Sequence, residues 1–315
     1  MPQYNITKLN FHEVELPNAQ RGMEADVCLT LANEYPVTFA VPPLGFDILV
    51  QGCSPEEPYI RLADAMTERI LVKPKTDVTV QVTGFIQQIP ETLLATCPQT
   101  EKSPLDALLG DYIRGDETTI FIRGSNAPSG DTPDWMTKLI KSVTLPVPFP
   151  GKTFEGMIRN FSLADVHFSL PDPFASPDEP EASPRISAIV KAVIGLPKEM
   201  NFPIKVPHVR ADADVFYHKK KLGRLDLNKW QKANSTRIEA HGDTEAGLAV
   251  DSVVKNAPLK ITDDNVFSDL VSDMVFGGKN VVLGVKANVD VETETALGKF
   301  VVRDIPAEGK VYVKR

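Results

Sequence analysis

The sequence has no long apolar run. None approaches the roughly 20 residues that a helical membrane span requires, so no such span is expected. It also lacks a basic stretch followed by an apolar one at the start, the pattern of a secretory leader. The chain therefore reads as a soluble protein, or as the soluble part of a longer one. Basic charge is short as well: 34 Lys+Arg stand against 42 Asp+Glu, a net −8. The deficit lies wholly in residues 1–150, with 11 basic and 19 acidic side chains, whereas residues 151–315 carry 23 of each. An acidic chain without a basic stripe is poorly suited to phosphate backbones, which argues against a nucleic-acid partner. The basic run Lys219-Lys-Lys221 follows Val215-Phe-Tyr217 and precedes Leu222-Gly223, so it reads as a solvated hairpin tip.

Catalytic signatures are missing too. His12, His167, His208, His218 and His241 show no metal-ligand spacing. There is no Gly-x-Ser-x-Gly and no Cys-x-x-Cys. Gly151-Lys-Thr153 resembles the end of a phosphate-binding loop, but position 146 is Pro where that loop needs Gly. Asp212/Asp214 and Asp263/Asp264 lack the surrounding Ca²⁺ loop, so strand-end and helix-cap roles are expected. The expectation is a non-enzymatic protein with no cofactor and no metal. Cysteine is scarce, at three. Cys28 lies in a strand-like stretch and reads as a core thiol. Cys53 and Cys97 lie in polar, Pro-flanked loops and could join as a disulfide in an oxidising compartment, provided the fold brings them close. Three sequons, at Asn5, Asn160 and Asn234, weigh weakly toward the secretory pathway and glycosylation.

What the sequence does hold is one unit present twice. Ser103 suits an N-cap, Pro104 the first helical position and Gly115 the C-terminal cap. Between them Leu105, Leu108, Leu109, Tyr112 and Ile113 recur at helical spacing, and the strand-like Thr118-Thr-Ile-Phe-Ile122 follows. The second version has Phe267, Leu270, Val271, Met274 and Val275 on one face, a stop at Gly277, and then Val281-Val-Leu283. Leu105/Phe267, Asp111/Asp273 and Gly115/Gly277 are each 162 positions apart. Similar offsets relate Pro148-Phe-Pro-Gly-Lys152 to Pro306-Ala-Glu-Gly-Lys310, and Leu9 to Leu163. The reading is a domain duplication, with domains at 1–150 and 151–315. Around each helix, short alternating stretches bounded by Pro and Gly give about seven strands per copy. Further helical turns are expected at 90–96, 135–140 and 228–234. The fold class expected is mostly β: two tandem immunoglobulin-like β-sandwiches, each with one late helix.

Val37-Thr-Phe-Ala-Val-Pro-Pro-Leu-Gly-Phe-Asp-Ile-Leu-Val50, Gly110-Asp-Tyr-Ile-Arg-Gly-Asp-Glu-Thr-Thr-Ile-Phe-Ile-Arg-Gly124, Asn160-Phe-Ser-Leu-Ala-Asp-Val-His-Phe-Ser-Leu-Pro171 and Val285-Lys-Ala-Asn-Val-Asp-Val-Glu-Thr-Glu-Thr-Ala-Leu-Gly298 resemble a fungal vacuolar-membrane protein family associated with termination of autophagy. Its tandem luminal domains are similar to group-two late-embryogenesis-abundant (LEA-like) domains. The resemblance covers nearly the whole chain. It implies a pair of domains in the vacuole lumen, anchored in the full-length protein by a span that this chain lacks. It also implies a groove between helix and sandwich able to admit a lipid or acyl chain. The residues expected to line it are Leu105, Leu108, Leu109, Tyr112 and Ile113 in the first copy, and Phe267, Leu270, Val271, Met274 and Phe276 in the second. The alternative is that these faces simply close the core. The domains would then act as a scaffold or tether for protein partners, through the acidic first copy or the Pro-rich loop 172–184.

Overall fold

The computed structural model describes residues 4–15, 21–126, 132–149, 158–172, 174–176, 182–241, 245–275 and 281–313. They form β1 (Tyr4–Glu15), β2 (Arg21–Leu31), β3 (Phe39–Val41), β4 (Gly45–Val50), β5 (Ile60–Thr67), β6 (Ile70–Val72), β7 (Val78–Ile86), α1 (Glu91–Leu94), α2 (Pro104–Arg114), β8 (Thr118–Gly124), α3 (Asp134–Lys141) and β9 (Thr144–Phe149). There follow β10 (Ile158–Ser169), β11 (Arg185–Gly195), β12 (Met200–Asn201), β13 (Lys205–Tyr217), β14 (Lys220–Ile238), β15 (Gly247–Ile261), α4 (Asp264–Val275), β16 (Val281–Thr295) and β17 (Gly298–Val313). The protein is mostly β, in keeping with β-sandwich domains.

The chain divides into two compact units. The first is Met1–Thr153 together with Pro197–Pro203 and Thr295–Gly298; the second is Phe154–Leu196, Ile204–Glu294 and Lys299–Arg315. In the first unit the strand order is β12-β1-β2-β7-β5-β4-β8-β9, with β3 and β6 as a separate pair. In the second it is β10-β11-β15-β14-β13-β16-β17. Setting aside β12, β3 and β6, the two orders match strand for strand. In both, a helix precedes the sixth strand of the unit (α2 before β8, α4 before β16). The two segments that the first unit draws from later in the chain are held by backbone bonds. Phe11 N–H donates to the Glu199 carbonyl at 2.8 Å, and Ile89 N–H donates to that of Leu297 at 3.3 Å.

Local chemistry accounts for the helix ends. Ser103 Oγ accepts from Asp106 N–H while Asp106 Oδ2 accepts from Ser103 N–H, a reciprocal cap of two free donors. Gly115 ends α2 at φ 80°, a left-handed conformation that favours glycine. At α4 the carboxylate of Asp263 accepts from the N–H groups of Asn265 and Val266. Asp212 and Asp214 pair with Arg224 and Lys221 on the facing strand.

Two expectations about the elements need correction. Residues 228–234 are not a turn of helix but part of β14. Their polar composition suits a helix end, yet Gln231 and Lys232 pair with Val209 and His208 of β13, and this tertiary pairing overrides local preference. The strand β5 was not anticipated at all. Its inward positions Ala63 and Ala65 carry little of the β-branched signal by which strands are recognised.

The core of the second unit is well filled. Ile186 of β11, Val254 and Leu259 of β15, Val215 and Tyr217 of β13, and Leu283 of β16 meet in one buried cluster. Helix α4 plugs it with Val266 and Leu270, the latter 1% exposed, while Phe267 and Met274 pack alongside. The Tyr217 hydroxyl donates to Asp273 Oδ2 at 2.6 Å, tying β13 to α4. Burial, then this bond, then the charges of Asp273 and Asp269 push the Tyr217 pKa up from 10.0 to about 12. The fold thus holds the phenolic proton more tightly than the unfolded chain does. The corresponding stability is fully present below pH 10 and is lost as the pH rises through about 12. Tyr217→Phe should flatten that alkaline fall, at a cost of about 1 kcal/mol at neutral pH from the lost bond. Unfolding midpoints measured across the same pH range check this, and an unchanged alkaline slope would contradict it.

Candidate functional site

The first unit contains an apolar groove of about 300 Å³ beneath α2. Its floor begins with register. Ala25 of β2 stands directly opposite Gly84 of β7, and Gly84 directly opposite Ala65 of β5. With Ala63, these small residues leave space where a core would normally be filled. A Cβ added at Gly84 would meet nothing closer than 3.7 Å, so the room there is real. Leu9, Phe11 and Val27 form one wall, Ile48, Leu62 and Ile120 the other, and Met200 of β12 one end. The roof is Leu108, Leu109 and Tyr112 of α2. Leu62, Leu108, Leu109 and Tyr112 are half-buried, so the groove is reachable from solvent.

The roof is held from three directions. The cap at Ser103 fixes the start of α2. A disulfide joins Cys53, in the loop after β4, to Cys97, in the loop before α2, with the Cα atoms 5.4 Å apart. At the far end the Tyr112 hydroxyl donates to Glu199 Oε1 at 3.3 Å, a carboxylate that is itself buried. Burial, then the adjacent Glu199 carboxylate, pushes the Tyr112 pKa well above its ordinary value. The Tyr112 proton is thus directed at Glu199 rather than into the groove.

The other residues singled out in the sequence are placed as follows. Leu105 is buried but does not line the groove. The side chain of Ile113 and the whole of Phe276 lie outside the described residues. In the second unit, Leu270 is core, Phe267 and Met274 pack against the core, and Val271 is half-buried. That unit's own apolar cavity is about 100 Å³ and touches no residue of α4. It is walled by Phe161, Phe168, Ile186, Val190 and Val254 among others, with Ala188, Ala213 and Ala287 also in the lining. Asn5 and Asn234 are exposed on strands, and the side chain of Asn160 lies outside the described residues. Cys28 is a half-buried free thiol on β2.

Strand pairing also assembles a group that linear spacing concealed. His12 stands opposite Glu24 across β1 and β2, and Asp26 follows two residues along, so three potential ligand atoms lie within 4.8 Å of one another. His12 Nε2 is 3.5 Å from Glu24 and Nδ1 is 3.8 Å from Asp26. All three alternate away from the groove-facing Phe11, Ala25 and Val27, on the opposite face of the sheet. Local motif spacing could not reveal them, because register rather than sequence distance brings them together.

Among the described residues no helix is long and apolar enough to cross a membrane. Residues 200–314 match the family model described as the Tag1 C-terminal domain. The match takes in most of the second unit and none of the groove residues except Met200. No curated protein matches the chain.

The disulfide closes a separation of 44 residues in the first unit. Removing it with Cys53→Ala/Cys97→Ala should destabilise that unit by about 2–4 kcal/mol, chiefly by freeing its unfolded state. Denaturant unfolding of the full chain, followed by a probe in the first unit, measures the loss; an unshifted midpoint would contradict it.

Proposed function

We propose that the first unit binds a single acyl chain in the groove beneath α2, and that the protein acts without catalysis as a carrier or sensor of lipid. The observation that carries this reading is the apolar space of about 300 Å³, walled by Leu, Val, Ile, Phe and Ala and opening past half-buried roof residues. Its size is at the lower end for ligand cavities. One hydrocarbon chain suits it better than a two-chain lipid. The lining is almost wholly apolar, and the Tyr112 hydroxyl at its border is already bonded to the buried Glu199 carboxylate, so a ligand's head group is expected to stay at the solvent end. Under the same proposal the second unit is a filled counterpart, so each chain takes one ligand.

The wider setting is proposed on the resemblance and on the match of residues 200–314 to the Tag1 C-terminal domain. It is a pair of domains in the vacuole lumen, anchored to the membrane in the full-length protein and taking part in autophagy regulation. The Cys53–Cys97 bond favours an oxidising compartment and so supports a luminal place. Glycosylation at Asn5, Asn160 or Asn234 would agree with it. The competing reading, a scaffold for protein partners, rests on the acidic surface of the first copy.

The test is a titration of the full chain with a fluorescent fatty acid. Saturable binding is expected in the wild type, with little dependence on salt, since the groove carries no charged side chain. Gly84→Leu and Leu109→Trp should fill the space and reduce affinity by about tenfold or more, a loss of roughly 1.4 kcal/mol per tenfold. Met274→Trp, in the second unit, should leave the stoichiometry unchanged. No binding below the micellar range would overturn the proposal and move the scaffold reading to first place.

A further inference from the structure

A second apolar feature of the first unit lies outside the groove. Helix α3 turns Met136, Thr137 and Ile140 toward the unit, where Ile140 covers Gly124 at the end of β8. Its outward side mixes apolar and charged residues, Trp135 and Leu139 beside Asp134 and Lys138. Trp135 is 64% exposed and Leu139 58%, and a spacing of four puts them on one stripe. Val143 and Leu145, just beyond the helix, are exposed as well. Soluble surfaces scatter single apolar residues, whereas here four exposed ones fall within eleven positions, two of them on one helical stripe.

The chemistry around the stripe identifies the partner. Lys138 and Lys141 are exposed on the same helix beside the stripe, and Arg123 is paired in register with Thr144. Residues 134–145 carry one acidic and two basic side chains, within a half of the chain that is otherwise strongly acidic. Arg123 and Lys141 share a polar pocket with Asp47, Asp64 and Arg61, and Lys141 bonds Asn126. Arg61 pairs with both carboxylates, so the local balance is four cations, with Lys138, against Asp47, Asp64 and Asp134, while salt screens charge beyond about 8 Å. Exposed Trp and Leu beside Lys is the composition of an interfacial helix, with rings at the headgroup level and ammonium groups reaching anionic phosphates. A partner strand is disfavoured, because β9 is the sheet edge and Pro146 and Pro148 remove two of its N–H donors. We infer that α3 and the start of β9 dock the first unit onto an anionic phospholipid surface, with Trp135 and Leu139 inserted and Lys138 and Lys141 at the phosphates.

The inference does not require the groove to be occupied. Vesicle flotation of the full chain tests it, using phosphatidylcholine alone and an equimolar mixture with phosphatidylserine. A Trp230→Phe background leaves Trp135 as the reporting indole. Flotation with the mixed vesicles and a blue shift of Trp135 emission are expected, both weaker with phosphatidylcholine alone and at high salt. Trp135→Ser/Leu139→Ser should lower partitioning by about tenfold or more, with an unchanged unfolding midpoint because both side chains are exposed. The same variant should keep its fatty-acid binding, whereas Gly84→Leu should keep vesicle binding, so failure of one proposal is distinguishable from failure of the other. No flotation of the wild type, or equal flotation of the double variant, would overturn the inference.

Discussion

Three small residues side by side, Ala25, Gly84 and Ala65, set a gap that no other described side chain of the first unit fills. Packing at ordinary interior density would close it with Val or Leu. A closed empty space of that size would cost on the order of 7 kcal/mol at about 24 cal/mol per Å³. That is comparable with the whole net stability of a domain, about 5–15 kcal/mol. An opening to solvent relieves the cost only by wetting apolar walls. A hydrocarbon chain would relieve it by burying them, which is why the gap bears on function rather than on packing alone.

Other features of the unit follow from holding a roof over that gap. A helix seated on a filled core is fixed by the core itself, as α4 is by Leu270 and Val266. Helix α2 is buried at its start through Leu105, but over the gap it has half-buried Leu108, Leu109 and Tyr112. Its position depends instead on the cap at Ser103, the Cys53–Cys97 bond and the Tyr112–Glu199 contact. The second unit serves as an internal control. With the same strand order and the same helix placement, its apolar cavity is about 100 Å³ and touches no residue of α4. The difference between the units therefore lies in how side chains fill the interior rather than in topology.

Much of the architecture was legible because it is written in local patterns. The helix-stop-strand unit, its caps at Ser103 and Gly115, and the turn at Lys219 all follow from spacing and turn chemistry. The roof of the groove was legible for the same reason, since Leu108, Leu109 and Tyr112 share a helical face. The floor was not. Ala63 and Ala65 give a weak strand signal, and the meeting of Ala25, Gly84 and Ala65 depends on a register that no single stretch encodes. His12 and Glu24 were hidden in the same way. The second helix looked like another roof because its apolar face has the same period, and the burial of Val266 and Leu270 in the core decides otherwise.

The central claim is that one unit, and only one, holds a hydrocarbon chain. Native mass spectrometry of the full chain after exposure to a mixed lipid extract measures this directly. The account predicts one bound single-chain lipid per protein, lost when Gly84→Leu fills the floor and retained in variants of the second unit. A bare protein mass, or two ligands per chain, would contradict it.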